Sequence, residues 1–294
     1  MTELGQTLIG GTLTGLVYGL VALSFIVIYR AARIVNLAQG ELLVLGGFLI
    51  WTCATTPHLP LIAAVPLAVA ASAACGLALE RALFRPLAGQ SSFTIVMATI
   101  ALLILLQGLV QAIWGAEARP YPAVLPRGTW HLGPFLLNRT LLIGAAGTLL
   151  LTEALNWWFL RTREGLRLAA VAEDHFTALS MGISVKRATT IAWVLGSVLA
   201  CLASVVLLSG RLLSVSAAEI GFVALPVALL GGLESVRGAP IAGVLVGVGE
   251  ALASAYLDPI TNGAMSKLFP FALMVAVLLV RPQGLFGWRV IERI

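Results

Sequence analysis

The sequence predicts an all-α membrane protein, a polytopic bundle of about eight to ten spans. Three observations carry that prediction. The 294 residues are 60% hydrophobic and only 11% charged, where a soluble domain carries about 25% charged residues. Mean hydropathy is +1.01. The apolar residues fall in runs, and a helical span needs about 20 of them. Aromatics contribute 7%, so the hydrophobicity comes from Leu, Val, Ile and Ala, the residues of helices buried in lipid or in one another. Thirty glycines suit close packing between such helices.

In chain order, spans are expected near 5–29, 37–53, 60–80, 92–114, 140–160, 188–209, 220–233, 240–257 and 268–280. The opening "MTELGQTLIGG" has no basic leader region, so the first run reads as a retained span and not as a cleaved signal. The run at 220–233 is short for a crossing and is a candidate re-entrant segment. Pro-bearing links, "TTPHLP" and "ESVRGAP", separate neighbouring runs, while 115–139 and 161–187 are the long polar stretches. If every run crosses and the N-terminus is outside, one compartment receives 13 of the 18 Lys and Arg residues, including Arg30, Arg33, Arg161, Arg163, Arg167 and Arg281. The other receives Arg119, Arg127, Arg139, Arg211 and Lys267. The richer side is the cytosolic one, which places the C-terminus in the cytosol.

A repeat follows from spacing. "RIVNLAQGE" (Arg33 to Glu41) follows the first run and leads to "LGG" at Leu45–Gly47; "RLLSVSAAE" (Arg211 to Glu219) follows the sixth and leads to "LGG" at Leu230–Gly232. Each is followed by a helix expected to begin at a proline, Pro60 or Pro240. The two arginines lie on opposite sides in the topology above, so the chain reads as one transmembrane domain, 1–294, built like many transporters. Its inverted halves lie at about 5–114 and 188–280, joined by the span at 140–160 and a cytosolic loop at 161–187.

Polar residues inside spans are the functional candidates. Asn36, Gln39 and Glu41 can line a translocation path or satisfy helix ends whose backbone groups lack water. Glu250 lies mid-run in "APIAGVLVGVGEALASAYL" and either lines the path or hydrogen-bonds a neighbouring helix. Gly11, Gly15 and Gly19, and Gly243 and Gly247, recur at four-residue spacing and read as helix-packing faces. In 161–187, "EDHFTALSMGIS" reads as a short helix stopped at Gly182, a knob suited to a soluble partner.

Several chemistries are excluded. A phosphate-binding loop needs Gly-Lys-Ser/Thr, but Lys186 follows Val185 and Lys267 follows Ser266, so this chain does not hydrolyse ATP by that route. His58, His131 and His175 are far apart and form no zinc motif. Cys53, Cys75 and Cys201 lie in or beside apolar runs, an odd number with no metal or disulfide pattern. "GQSS" at Gly89–Ser92 lacks a facing histidine for a serine nucleophile. Basic residues are scattered singly, so nucleic acid is not an expected partner.

Four islands in the chain carry a resemblance: "VNLAQGELLVLGGF", "GLRLAAVAEDHFTALSMGIS", "LLGGLESVRGAPIAGVLVGVGEALASAYL" and "LLVRPQGLFG". In this order they resemble the permeases of branched-chain amino acid ABC transporters, inner-membrane subunits of binding-protein-dependent importers. The resemblance implies a non-catalytic, multi-pass subunit of the bacterial inner membrane without a cofactor of its own, ATP and magnesium being held by a partner ATPase. It implies that the 161–187 loop plugs into that ATPase through Glu173, Asp174, Ala178 and Gly182. It further implies a second permease subunit, usually a different chain, and a periplasmic solute-binding protein. Related permeases carry urea, amides or other small solutes. Without the resemblance, an ion-coupled secondary transporter using Glu41 and Glu250, or a purely structural membrane subunit, stays open.

Overall fold

The computed structural model describes residues 2–55, 59–173 and 175–287. In chain order its helices are α1 (Thr2–Ala32), α2 (Gln39–Thr55), α3 (Leu61–Leu79), α4 (Ser92–Trp114), α5 (Arg139–Arg161), α6 (Arg163–Glu173), α7 (His175–Ser180), α8 (Val185–Leu208), α9 (Glu219–Gly231), α10 (Gly238–Tyr256), α11 (Asp258–Thr261) and α12 (Met265–Val280). Every apolar run of the sequence is one of these helices. Six of them (α1, α3 extended to Phe84, α4, α5, α8 and α10) are long and apolar enough to cross a membrane, whereas α2, α9 and α12 are shorter. Helix ends differ from expectation by up to three residues, and one stretch differs in content. The helix expected to start at Pro240 starts at Gly238, and the 161–187 stretch holds two helices, α6 and α7, in place of one.

The local reasons are those of a chain in lipid. Helical backbone satisfies its own polar groups, which hydrocarbon cannot do. Side-chain hydroxyls in the helices do the same: Thr12, Thr52, Thr148 and Thr152 each donate to the carbonyl four residues back, at 2.7–2.9 Å. Ser91 and Ser184 cap α4 and α8 by accepting from Thr94 N–H at 3.2 Å and Arg187 N–H at 3.3 Å, the usual repair of a helix start.

The chain divides into two compact units: one holds the residues up to Ile26, Gly128–Leu155 and the chain from Val223; the other holds Val27–Arg127 and Asn156–Phe222. In the second unit α8 packs against α2 and α3. Gly46 seats α2 on Cys201, where a methyl would fall 2.7 Å from the Cys201 Cα. Ser72 of α3 donates to the Ser197 carbonyl at 2.9 Å. Phe84 stacks on Trp193 with ring centres 4.1 Å apart, and the Trp114 indole N–H donates to Thr52 Oγ1 at 2.6 Å. Two short strands, β1 (Arg119–Pro120) and β4 (Leu212–Leu213), pair antiparallel and tie the loop after α4 to the connection between α8 and α9.

In the first unit α1 crosses α10 through glycines. A Cβ on Gly11 would meet the Gly247 carbonyl at 2.7 Å, and Gly15 lies directly on Gly243. The packing role expected for Gly11, Gly15, Gly19, Gly243 and Gly247 matches this geometry; Gly19 faces Pro240 of α10. Strands β2 (Thr129–Leu132) and β3 (Phe135–Asn138) form a hairpin. The tail after α12 folds onto the end of α9: Leu285 N–H donates to the Leu230 carbonyl at 2.8 Å, and Gly284 and Gly287 lie against Leu229 and Gly232. Two of the sequence islands, "LLGG" and "RPQGLFG", are therefore one contact.

Candidate functional site

α8 has 24 residues, about 36 Å at 1.5 Å per residue, and Gly196 is at its midpoint. The Gln39 amide donates to the Gly196 carbonyl at 3.1 Å. α2 therefore begins level with the middle of α8. The chain descends to that level through residues 33–38, which are not helical. Asn36 shapes the descent: its Oδ1 accepts from Ala38 N–H at 3.1 Å, its carbonyl accepts from Gln39 N–H at 3.2 Å, and its Nδ2 donates to Gln39 Oε1 at 2.9 Å. Both amides are buried, with their bonding turned inward.

At the same level α2 meets α9. Gly40 packs against the Ala218 carbonyl and Gly221, and a Cβ on Gly221 would fall 2.5 Å from the Gly40 Cα. Gly40 and Ala218 hold the same position in "RIVNLAQGE" and "RLLSVSAAE", so equivalent points of the two segments touch. Glu41 is next in line. It is 3% exposed, and its Oε2 has no hydrogen-bond partner among the described residues. The corresponding Glu219 is exposed. The sequence reading named Asn36, Gln39 and Glu41, which the structure brings together, but not Gly40, Gly221 or Glu219. The repeat alignment contained Gly40 and Glu219, but nothing in the sequence pointed to Gly221.

Glu250 is elsewhere, in the first unit. Its Oε1 accepts from the Tyr18 hydroxyl of α1 at 3.4 Å, while Oε2 has no partner among the described residues. The helix-to-helix bond, one of the two alternatives for this residue, is thus made beside the glycine crossing of α1 and α10.

The sequence reading missed Glu80. A π-turn, Glu80–Phe84, follows α3 and turns this carboxylate inward, to 1% exposure. Arg85 donates to it through Nη2 at 3.0 Å and Nε at 3.3 Å, and Thr190 and Thr189 of α8 donate at 3.0 and 3.4 Å. Arg85 supplies two charged donors to this buried carboxylate, while the single proton of each threonine hydroxyl is shared with the Lys186 carbonyl. No sequence rule pairs residues five apart, because that spacing faces only across a π-turn.

The knob is built as its sequence suggested. α7 ends in paired reverse bonds, Ile183 N–H to the Ala178 carbonyl and Gly182 N–H to the Leu179 carbonyl, both at 2.9 Å, with Gly182 at φ +74. That is the glycine-closed helix end. Ala178 is buried, Glu173 and Gly182 are exposed, and Asp174 lies outside the described residues. Leu179 and Met181 are 57% and 77% exposed. A cleft of about 240 Å³ beside them is lined by Glu164, Arg167, Ser184 and Arg187. The knob is anchored to the spans. Gly165 of α6 lies on the Trp158 carbonyl, the Arg33 side chain donates to the Ala172 carbonyl, and Arg30 lies over the Phe159 ring at 4.1 Å.

A family profile described as the permease component of branched-chain amino acid transport systems matches residues 7–278. The high-affinity branched-chain amino acid transport system permease protein LivH of Salmonella typhimurium is 30% identical, the match covering 98% of this chain and 97% of that protein. BraD of Pseudomonas aeruginosa, described in the same words, is 28% identical over the same shares. A probable branched-chain amino acid transport permease protein LivH of Methanocaldococcus jannaschii is 25% identical over 100% and 97%. Among solved structures, PsaBC from Streptococcus pneumoniae in complex with Fab matches at 16% identity and a TM-score of 0.48, covering 95% of this chain and 92% of that one.

Proposed function

The chain belongs to the branched-chain amino acid transport permease family, and from that membership we infer how it works as the transmembrane subunit of an ABC importer. It is a pathway without its own energy source. A periplasmic binding protein delivers a branched-chain or other small amino acid, and a separate cytosolic ATPase, holding ATP and magnesium, shifts the bundle between two access states. A ligand moves such an equilibrium only by binding the two states unequally, so nucleotide-dependent force must enter through a contact. The surface that suits this contact is the α7 knob, with Leu179 and Met181 outward and Glu173 and Gly182 at its edges.

The observation that carries the reading is the end-to-end family match combined with this knob, a glycine-closed helix end bearing exposed apolar side chains and held to α5 and to Arg33 just after α1. We place the knob and the C-terminus in the cytosol, in keeping with the Lys and Arg bias, and the chain in the bacterial inner membrane as one of two permease subunits, its mate a related but different chain. The meeting of Gly40 with Ala218 supports an inverted repeat. In this reading Glu41 borders the path, Asn36 and Gln39 hold the start of α2, and Glu250 joins α10 to α1. The test is purification from the host membrane under mild detergent. An ATPase and a second permease should accompany the wild-type chain. Gly182→Trp, which strains the helix end at φ +74 and puts a bulky group on the knob, should lose the ATPase while keeping the permease pair. Retention of the ATPase by that variant, with uptake intact, would contradict the coupling role.

A further inference from the structure

Three spans end or begin around one cleft in the second unit. The α3 span closes there with the π-turn Glu80–Phe84, and α4 and α8 begin beside it, at Ser92 and Val185. The cleft has a volume of about 130 Å³, and its lining includes Ile34, Phe84, Ile95, Trp193, Arg85 and Lys186. An engineered cavity of roughly 150 Å³ admits benzene, so the cleft has room for one small group.

Its polar wall is rich in donors and short of acceptors. Arg85 uses Nε and Nη2 on Glu80 and Thr190, and its Nη1 has no acceptor among the described residues. The exposed Lys186 ammonium has none there either, nor has the indole N–H of Trp193, a side chain only 2% exposed. A buried indole N–H usually finds an acceptor, and stacking on Phe84 engages only the ring face of this one. Glu80, the one carboxylate in the lining, is matched by Arg85. Lys186 therefore leaves the cleft with one net positive charge.

We propose that this cleft binds the phosphate of an anionic phospholipid, with Lys186, Arg85 and the Trp193 N–H as donors. One net positive charge suits one phosphodiester. Ile34, Phe84 and Ile95 form an apolar side that suits the first methylenes of a lipid and has nothing to offer a free phosphate. The position fits as well: the ends of three spans mark the level of the headgroups, where basic pockets between helices take acidic lipid heads. A lipid held there bridges the end of α3 to the start of α8, the helix that carries on from the knob. The inference rests on the membrane-spanning fold and not on the importer reading.

The test titrates the purified transporter in a neutral detergent with phosphatidylglycerol or phosphatidylcholine, with inorganic phosphate as competitor. Lipid bound to the permease chain is read by native mass spectrometry. Wild type should bind phosphatidylglycerol at concentrations where phosphatidylcholine does not bind. Lys186→Ala should weaken that binding about fivefold, the share of one basic side chain at a membrane surface. Trp193→Phe, which keeps a stacking ring and removes the N–H, should weaken it as well. Lys267→Ala, at an exposed lysine outside the cleft, should leave it unchanged. Equal binding of the two lipids by wild type would overturn the proposal, and so would equal affinities in Lys186→Ala and Lys267→Ala. Displacement of phosphatidylglycerol by inorganic phosphate at equal concentration would mark a site for free anions and overturn the assignment to lipid.

Discussion

Gly15→Ala should destabilise the chain, and Gly10→Ala, five residues away on the same helix, should not. In α1 a methyl at Gly15 would fall on the Gly243 carbonyl group, 2.7 Å from its carbon and 3.0 Å from the Val244 Cα. Carbon pairs rest at about 3.5–4.0 Å, so α1 and α10 would have to part by roughly 1 Å. The atoms in the way are backbone and cannot rotate aside. Adding one methyl to a packed contact costs about 1–3 kcal/mol, and a backbone-to-backbone crossing belongs at the upper end. Gly10 has nothing within 4 Å, so alanine there meets no resistance and gains up to about 1 kcal/mol of helix propensity. The two variants should therefore differ by about 2–4 kcal/mol, read as thermal midpoints of the purified protein in one detergent. Gly15→Ala should melt below wild type and Gly10→Ala at or above it. Equal midpoints for the two would refute the glycine crossing, and with it the packing role given to Gly243 and Gly247.

Three further outcomes are expected. Glu80→Ala removes the acceptor of Arg85, whose side chain is 37% exposed and can turn to water, and should cost about 1–3 kcal/mol of stability; Thr190→Ala, removing one of several donors, should cost about 1 kcal/mol, both measured by thermal unfolding. Leu179→Asp combined with Met181→Asp, both exposed and free of core packing, should leave the melting temperature unchanged and abolish cargo-stimulated ATP hydrolysis by the complex. Leu285→Pro removes the N–H that meets the Leu230 carbonyl and should loosen the tail from α9, seen as chymotrypsin cleavage after Phe286 in the variant only.

The helices were legible because lipid makes length and apolarity the dominant local rule. The run expected at 188–209 is α8 at Val185–Leu208, and that expected at 92–114 is α4 over the same residues. The glycine spacing of 11, 15 and 19 was legible for a similar reason: a four-residue period defines one helix face before any partner is known. Depth was not legible. Nothing in "NLAQGE" says that α2 starts level with the middle of α8, since that follows from Gln39 finding Gly196, a contact across 157 residues. The Glu80 network was hidden because it needs a π-turn and two threonines from another helix. The pairing of β1 with β4 was hidden because two-residue strands have no period. Polar residues were thus visible as candidates, but whether each was satisfied could be decided only by tertiary neighbours: Asn36 and Gln39 are satisfied, Glu250 half so, and Glu41 is the open case.

The most direct test of a permease driven from outside is uptake by the chain in vesicles, with and without its ATPase. Leucine should accumulate only when the second permease subunit, the cytosolic ATPase, ATP and the binding protein are all present, and an imposed proton or sodium gradient should not replace them. Accumulation by the permease chain alone, driven by an ion gradient in ATP-free vesicles, would contradict the account.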